Sequence, residues 1–140
     1  MLWNSSYNLE KNGMSNKYLL DTNILIYYFN DEPEVQSIFD EIEDGDAEAF
    51  YCQITWVELI CKTALTEEKA NEMRDFLRLL NCISLTEVIL DSAAKIRRDY
   101  GLKLADGVIA ACALVEGYVL VTRNAKDFKR VNGLSILNPF

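Results

Sequence analysis

The chain has 140 residues, of which 22 are acidic and 14 are basic, and its formal net charge is −8. This length fits a single domain that buries a substantial core. Histidine is absent and the cysteines form no C-x-x-C pair, which excludes the usual zinc patterns and any catalysis that needs histidine. We expect Cys52, Cys61, Cys82 and Cys112 to be reduced thiols in core positions of a cytoplasmic protein.

The first 16 residues are polar and rich in asparagine, and they lack the apolar centre of a signal peptide. We therefore predict a flexible extension over residues 1–16 and one domain over residues 17–140. No apolar run is long enough to cross a membrane, because Asp106, Glu116 and Gly117 interrupt the longest one.

The first predicted element is a short buried strand over Tyr18–Leu20, which Asp21, Thr22 and Asn23 follow. These three residue types begin helices, and a helix is predicted after them as far as Phe29. In an open α/β sheet, ligands bind at the carboxyl ends of the strands, so Asp21 is a candidate site residue. The alternative is that Asp21 only caps the helix.

Helical and strand patterns then alternate to the end of the chain. Helices are predicted over residues 34–43, 55–65, 66–80, 86–100 and 104–116, and strands over residues 47–53, 82–85, 118–122 and 134–137. The helix over residues 104–116 is apolar nearly all round, so we expect it to be buried. Strands that alternate with helices predict an α/β sandwich, in which helices flank a central, mostly parallel β-sheet.

Charge is distributed unevenly along the chain. Nine acidic residues and no basic one lie between Asp31 and Glu48, whereas residues 95–140 carry eight basic and four acidic side chains. We interpret the acidic run as a solvated surface. The basic last third fits either a surface that faces a polyanion or ordinary exposed surface.

Four acidic residues are placed where a site at the edge of such a sheet requires them, namely Asp21, Glu58, Asp106 and Asp127. Two of them follow strands, and the other two lie near the starts of predicted helices. Each also has a structural interpretation. Thr55-x-x-Glu58 has the spacing of a capping box, and Asp106 and Asp127 can stabilise helix N-termini.

Three segments in this order resemble the PIN-domain ribonucleases, most closely the VapC-type toxins of toxin–antitoxin pairs: YLLDTNILIYYF, ITWVELI and KLADGVIAACALVEGYVLVTRNAKDF. The resemblance covers residues 17–140 and implies a PIN-like three-layer sandwich. It also implies that the four acids are catalytic and bind metal. We place four polar residues beside them as supporting residues, Thr22, Asn23, Thr122 and Asn124.

Two positions depart from the family pattern. Asn124 stands where many relatives have an acid. Gly107 stands where a larger apolar residue is more usual, and we expect it to change the packing rather than the chemistry.

The chemistry of the residues agrees with this resemblance. Carboxylates held close together repel one another, and a divalent cation removes that repulsion. Oxygen ligands without histidine or cysteine select magnesium or manganese, which can activate water for attack on a phosphodiester. We therefore predict a Mg²⁺- or Mn²⁺-dependent endoribonuclease, the toxin of a type II toxin–antitoxin pair. Its predicted substrate is RNA, and the resemblance also implies two protein partners, a cognate antitoxin and a second copy of the chain.

Three basic residues, Lys126, Lys129 and Arg130, lie beside the proposed site in sequence, and we expect them to contact RNA phosphate. The alternative function is a PIN-fold module that binds RNA or protein without catalysis. A phosphatase of the haloacid-dehalogenase type also has an aspartate after its first strand. It requires a second acid two residues later, where this chain has Asn23.

Overall fold

The computed structural model describes residues 15–140, so most of the extension predicted over residues 1–16 lies outside the described residues. Within the described range the strands are β1 (Asn16–Leu20), β2 (Ala47–Cys52), β3 (Asn81–Ile83), β4 (Val119–Val121) and β5 (Ile136–Leu137). The helices are α1 (Thr22–Phe29), α2 (Gln36–Glu43), α3 (Gln53–Ile60), α4 (Glu67–Leu79), α5 (Glu87–Tyr100), α6 (Leu104–Glu116) and α7 (Ala125–Phe128).

The strands form one parallel sheet in the order β3-β2-β1-β4-β5. The strand that comes first in sequence, β1, lies at its centre, where Leu19 is paired with Phe50 of β2 and Leu120 of β4. Successive side chains of a strand point to opposite faces of the sheet. Tyr18 and Leu20 therefore enter the core on one face, and Leu19 enters the core on the other.

Helices cover both faces of the sheet. Side chains from α1, α2 and α4 fill one core, whereas α5 and α6 supply most of the other. The burial predicted for α6 is confirmed, because every residue from 107 to 113 is buried. The predicted α/β sandwich with a central parallel sheet is thus confirmed.

Several helix ends follow directly from local sequence. Thr66 and Thr86 cap α4 and α5, since their hydroxyl oxygens accept hydrogen bonds from the backbone N–H groups of Lys69 and Ile89 at 3.2 and 3.3 Å. Gly101 ends α5 at a φ of 69°, in the left-handed region that glycine adopts without strain. These caps explain why the boundaries of α4 and α5 lie within one residue of the prediction.

The segment after β2 differs most from the prediction. Helix α3 occupies Gln53–Ile60, whereas the pattern predicted a helix over residues 55–65. Strand β2 ends at Cys52, which serves as the N-cap of α3 without a side-chain hydrogen bond. Thr55 therefore lies inside the first turn and is fully buried, so the prediction that it opens the helix is wrong.

The other differences are small. Pro33–Val35 forms a 3-10 turn ahead of α2, which shortens the helix predicted over residues 34–43. Proline fits this place because a first helical turn does not need its missing N–H. Strands β3, β4 and β5 are each shorter than predicted.

The four cysteines are free thiols, as predicted, but only two of them occupy the core. Cys52 and Cys112 are buried, with their sulfur atoms 3.3 Å apart. Cys61 follows the end of α3 and Cys82 lies on the edge strand β3, and both are exposed, so the prediction of four core positions is wrong for these two. Across residues 15–140, no helix is long and apolar enough to cross a membrane.

Gly107 permits a close approach between α5 and α6. A methyl group at this position would lie 2.8 Å from Cγ of Arg97. The Arg97 Nε also donates a hydrogen bond to the carbonyl oxygen of Leu102 at 3.2 Å, in the turn that joins the two helices. This contact supports the expectation that Gly107 changes the packing.

Candidate active site

Asp21 lies at the carboxyl end of the central strand and is also the N-cap of α1. The residue is only 5% exposed. Oδ1 accepts a hydrogen bond from the Thr22 backbone N–H at 2.8 Å, and Oδ2 accepts one from the Thr122 hydroxyl at 2.8 Å. Asp21 therefore caps α1 and also stands at the carboxyl edge of the sheet, so the two interpretations of this residue are compatible.

The electrostatic surroundings of Asp21 are those of a crowded acidic site. The pKa of Asp21 is raised to about 6, chiefly by burial and also by the negative charges of Asp106 and Glu58, while the hydrogen bonds from Thr122 and Thr22 act in the opposite direction. These charge effects show that the fold places carboxylates from three different elements near one another. A carboxyl group with a perturbed pKa beside other carboxylates is typical of functional sites.

Glu58 lies on α3, and its Oε1 accepts a hydrogen bond from the Thr22 hydroxyl at 2.7 Å. The Thr22 hydroxyl oxygen also lies 2.9 Å from that of Thr55. Because Thr22 uses its single hydroxyl proton on Glu58, Thr55 must be the donor in this second bond. The result is a directed chain of hydrogen bonds from Thr55 through Thr22 to Glu58, and the capping-box interpretation of Thr55 and Glu58 is wrong.

Asp106 lies in the first turn of α6 and is half-buried. Burial raises its pKa, the charge of Glu58 and then that of Asp127 raise it further, and Lys103 lowers it. Asp127 lies on α7 and is exposed. Asp21, Glu58 and Asp106 thus form the inner group of acids, with Asp127 beside Asp106 at the solvent side.

The predicted supporting residues differ in what they do. Thr122 is fully buried, donates to Asp21, and accepts a hydrogen bond from the Asn124 backbone N–H at 2.9 Å. Asn124 thus contacts Thr122 through its main chain rather than its side chain. Thr22 joins two of the acids, whereas Asn23 is exposed and makes no hydrogen bond to a site carboxylate within residues 15–140.

Thr55 is the site residue that sequence reasoning missed. Its spacing from Glu58 places both on one face of a helix, which is compatible with a shared site as well as with a capping box. The hydrogen bond between Thr55 of α3 and Thr22 of α1 distinguishes the shared site from the capping box.

The three basic residues expected to contact RNA differ in whether their side chains bind other parts of the protein. Lys126 and Lys129 are exposed at α7. The Arg130 guanidinium instead donates a hydrogen bond to the carbonyl oxygen of Tyr100 at 2.8 Å, near the end of α5. Within residues 15–140, Arg130 therefore has a structural partner that the two lysines lack.

The donor atoms of the four acids fit a hard divalent cation. They are all carboxylate oxygens, and each oxygen that already accepts one hydrogen bond keeps a further lone pair. Their mutual charge effects on pKa are the repulsion that a cation would remove. Over residues 15–140, however, no three acidic side chains are grouped as a complete metal-binding set. Metal binding at this site would therefore require these side chains to move.

The fold and this acidic edge define a PIN domain. The model of the PIN domain family matches residues 18–134, and the chain belongs to that family. The chain is 29% identical over 129 residues to Ribonuclease VapC2 of Rickettsia felis, an alignment that covers 86% of this chain and 96% of the relative. The resemblance to VapC ribonucleases is thus confirmed.

Solved structures give the same result. A chain of a toxin–antitoxin complex from Klebsiella pneumoniae superposes with a TM-score of 0.75 at 30% identity, and the match covers 88% of this chain and 98% of that chain. A chain of VapBC2 from Rickettsia felis, bound to a DNA fragment from the promoter, superposes with a TM-score of 0.76 at 25% identity, covering 87% and 98% of the two chains. The predicted PIN-like sandwich is thus confirmed.

Proposed function

We propose that this protein is a metal-dependent endoribonuclease and the toxin of a type II toxin–antitoxin pair. The observation that carries the proposal is the buried Asp21 carboxylate, whose pKa of about 6 reflects burial and the neighbouring charges of Asp106 and Glu58. Such a cluster costs stability unless a cation or proton neutralises it. The ribonuclease named among the relatives supports the same activity.

In this proposal Asp21, Glu58 and Asp106 hold the principal ion, and Asp127 completes the site or orients water. When bound, Mg²⁺ or Mn²⁺ supplies activation of water and stabilisation of the charge on the phosphodiester in the transition state. The protein contributes oriented carboxylates. Thr122 fixes the direction of Asp21, and Thr22 fixes that of Glu58.

A cleavage assay tests the activity. Purified protein should cleave RNA when magnesium or manganese is present, because the proposed ligands are all oxygen atoms, which these ions prefer. Cleavage should stop when excess chelator is added. Asp106→Asn removes one proposed metal ligand, and we expect this variant to lose activity with either metal. Its inactivity would exclude a contaminating ribonuclease as the source of cleavage. Full activity in chelator would contradict the metal dependence, and no cleavage by the parent under any of these conditions would favour the non-catalytic binding module.

Thermal unfolding tests the metal site without relying on activity. In chelator, Asp106→Asn should melt higher than the parent, because it removes one of three mutually repelling charges, and added salt should reduce the gain. With manganese the order should reverse, since the parent gains binding free energy that the variant largely loses. If manganese raises the midpoint of neither protein, the proposed metal site does not exist.

The proposed protein partners are a cognate antitoxin, which would block the acidic site with a basic segment, and a second copy of the chain. Toxin–antitoxin complexes among the structural matches support the antitoxin. For the homodimer, Val57 on α3 and Val88 on α5 offer apolar side chains that are 64% and 65% exposed. Sedimentation of the purified protein alone and after co-expression with the adjacent reading frame tests both partners.

A further inference from the structure

Arg123 is held in a cluster of two aromatic rings at the same edge of the sheet as the acids. It directly follows Thr122, which donates a hydrogen bond to Asp21. Tyr27 lies on α1, the helix that Asp21 caps, and Phe140 follows β5. The loop after β4, the segment after β5 and helix α1 thus converge beside the candidate active site.

The contacts within this cluster fix the guanidinium group. Its central carbon lies 4.4 Å from the ring centroid of Phe140 and 5.5 Å from that of Tyr27. Nη1 donates a hydrogen bond to the Tyr27 hydroxyl oxygen at 3.3 Å, and the two rings meet edge to face with centroids 4.9 Å apart. Such contacts hold the side chain in place before a ligand binds, which lowers the entropy cost of binding.

Arg123 also keeps its charge available. Among residues 15–140, no carboxylate forms an ion pair with Arg123, whereas Arg74 and Arg78 are each paired with an acid on their own helix or beside it. Arg123 is exposed, and within residues 15–140 only one of its five N–H donors makes a hydrogen bond. A fixed guanidinium with free donors is suited to binding a phosphate through two parallel hydrogen bonds.

The rings offer a second kind of contact. Phe140 is 38% exposed, so part of its ring is open to solvent although it touches the guanidinium. Exposed aromatic rings bind single-stranded nucleic acid because every base can stack on them. Tyr27 lies five residues after Thr22 on α1, which corresponds to about 8 Å along the helix axis from the start of the acidic site.

We propose that Arg123, Tyr27 and Phe140 form an RNA-contact subsite. Arg123 binds a backbone phosphate of the substrate, and the open part of the Phe140 ring stacks against an adjacent base. The subsite holds the strand so that a neighbouring phosphodiester lies over the acids. The proposal rests on the ribonuclease activity proposed above, to which it adds a preference for single-stranded RNA at this position.

Binding of a fluorescein-labelled single-stranded RNA oligonucleotide tests the subsite. Fluorescence anisotropy is measured in chelator, which keeps the RNA intact, at several concentrations of KCl. We expect Arg123→Gln to weaken binding about tenfold, which is the scale of one lost charge-assisted hydrogen bond. The slope of log affinity against log salt should become shallower by about 0.7, the value for one phosphate contact on a single strand.

Arg98→Gln is the matched control, since Arg98 is an exposed arginine of α5 and the charge change is the same. It should leave both the affinity and the slope unchanged. Phe140→Leu keeps the cation and removes the ring, so it should weaken binding while the salt slope stays at the parent value. KM for cleavage of the same oligonucleotide with magnesium should rise in Arg123→Gln and in Phe140→Leu.

The outcomes separate this proposal from the one it rests on. If the parent cleaves RNA and Arg123→Gln behaves like Arg98→Gln, the subsite is wrong and the ribonuclease activity stands. If the parent neither binds nor cleaves RNA, both proposals are wrong. If Arg123→Gln unfolds at the assay temperature, Phe140→Leu becomes the test of the subsite. An affinity and a KM equal to those of the parent in Phe140→Leu would overturn the subsite.

Discussion

Thr22 connects two of the acids through two different groups. Its backbone N–H donates to Asp21 and its hydroxyl donates to Glu58. Because the Thr22 hydroxyl donates to Glu58, it accepts its other hydrogen bond from Thr55, which is fully buried. One threonine side chain thus determines how a neighbouring helix presents its carboxylate.

Replacing Thr55 by valine tests this dependence. Valine keeps the shape and removes the hydroxyl, so the stability cost should be about 1 kcal/mol, the net value of one hydrogen bond. The manganese-induced rise in melting temperature should shrink much more, because groups that orient metal ligands typically change metal affinity by about tenfold or more. Thr55→Ser should restore the rise. A valine variant with the parent's full manganese response would show that Thr55 only fills space.

The raised pKa of Asp21 predicts how stability depends on pH. Its ordinary pKa is 3.8 and its value in the folded protein is about 6, so the folded state binds the proton more tightly than the unfolded state between these values. Stability should therefore fall as the pH rises from about 4 to 6, by about 2–3 kcal/mol from this group alone.

Urea unfolding of the parent and of Asp21→Asn in chelator, at intervals from pH 4 to 7, measures this effect. The asparagine cannot ionise, so the stability of the parent relative to the variant should decline over this range and then level off. Parallel stability curves would mean that the Asp21 carboxyl has an ordinary pKa in the folded protein.

The contact of α5 with α6 depends on the absence of a side chain at Gly107. Alanine normally stabilises a helix interior by about 0.5–1 kcal/mol relative to glycine. Here its methyl group would lie 2.8 Å from Cγ of Arg97, and overpacking of this kind costs about 1–3 kcal/mol. We expect the steric cost to exceed the gain in helix propensity, so Gly107→Ala should lower the stability of the protein.

Gly107→Ala should have the opposite effect on stability when the Arg97 side chain is shortened. In an Arg97→Ala background the clash is removed, and Gly107→Ala should then stabilise the protein by its helix propensity. Chemical unfolding of the parent, both single variants and the double variant gives the coupling between the two sites. A coupling energy near zero would mean that Arg97 moves aside without cost.

Local sequence predicted most of the elements, because threonine caps, glycine stops and hydrophobic periodicity act within a few residues. It failed at α3, where Cys52 passes directly from strand to helix and Thr55 imitates a cap. The four acids could be proposed from their places after predicted strands or near predicted helix starts, together with the resemblance of their flanking residues to PIN-domain ribonucleases. The pairing of Thr55 with Thr22 could not, because it joins residues 33 positions apart through the packing of two helices.

For the whole molecule, the net charge of −8 is a poor guide to RNA binding, because most of the acids lie in the first two thirds of the chain. Lys126 and Lys129 are exposed beside the acidic edge and form no ion pair within residues 15–140. Local positive charge of this kind attracts a polyanion even when the protein as a whole is acidic.

We expect the double variant Lys126→Gln and Lys129→Gln to weaken RNA binding and to make its salt dependence shallower by about 1.4 in slope, the value for two phosphate contacts. The control is the double variant Lys69→Gln and Lys95→Gln, which removes the same charge from lysines paired with Glu72 and Asp99. The affinity of each double variant for labelled RNA is measured by titration at several salt concentrations. Equal slopes for the two double variants would show that Lys126 and Lys129 are ordinary surface residues.

The central position of β1 has a consequence during synthesis on the ribosome. Asp21 is made early, but its partner Thr122 follows 101 residues later. At translation rates of 5–20 residues per second, the growing chain carries Asp21 without Thr122 for about 5–20 s. Until β4 emerges, one side of β1 has no neighbouring strand. The proposed active site is therefore complete only when synthesis of the chain is nearly finished.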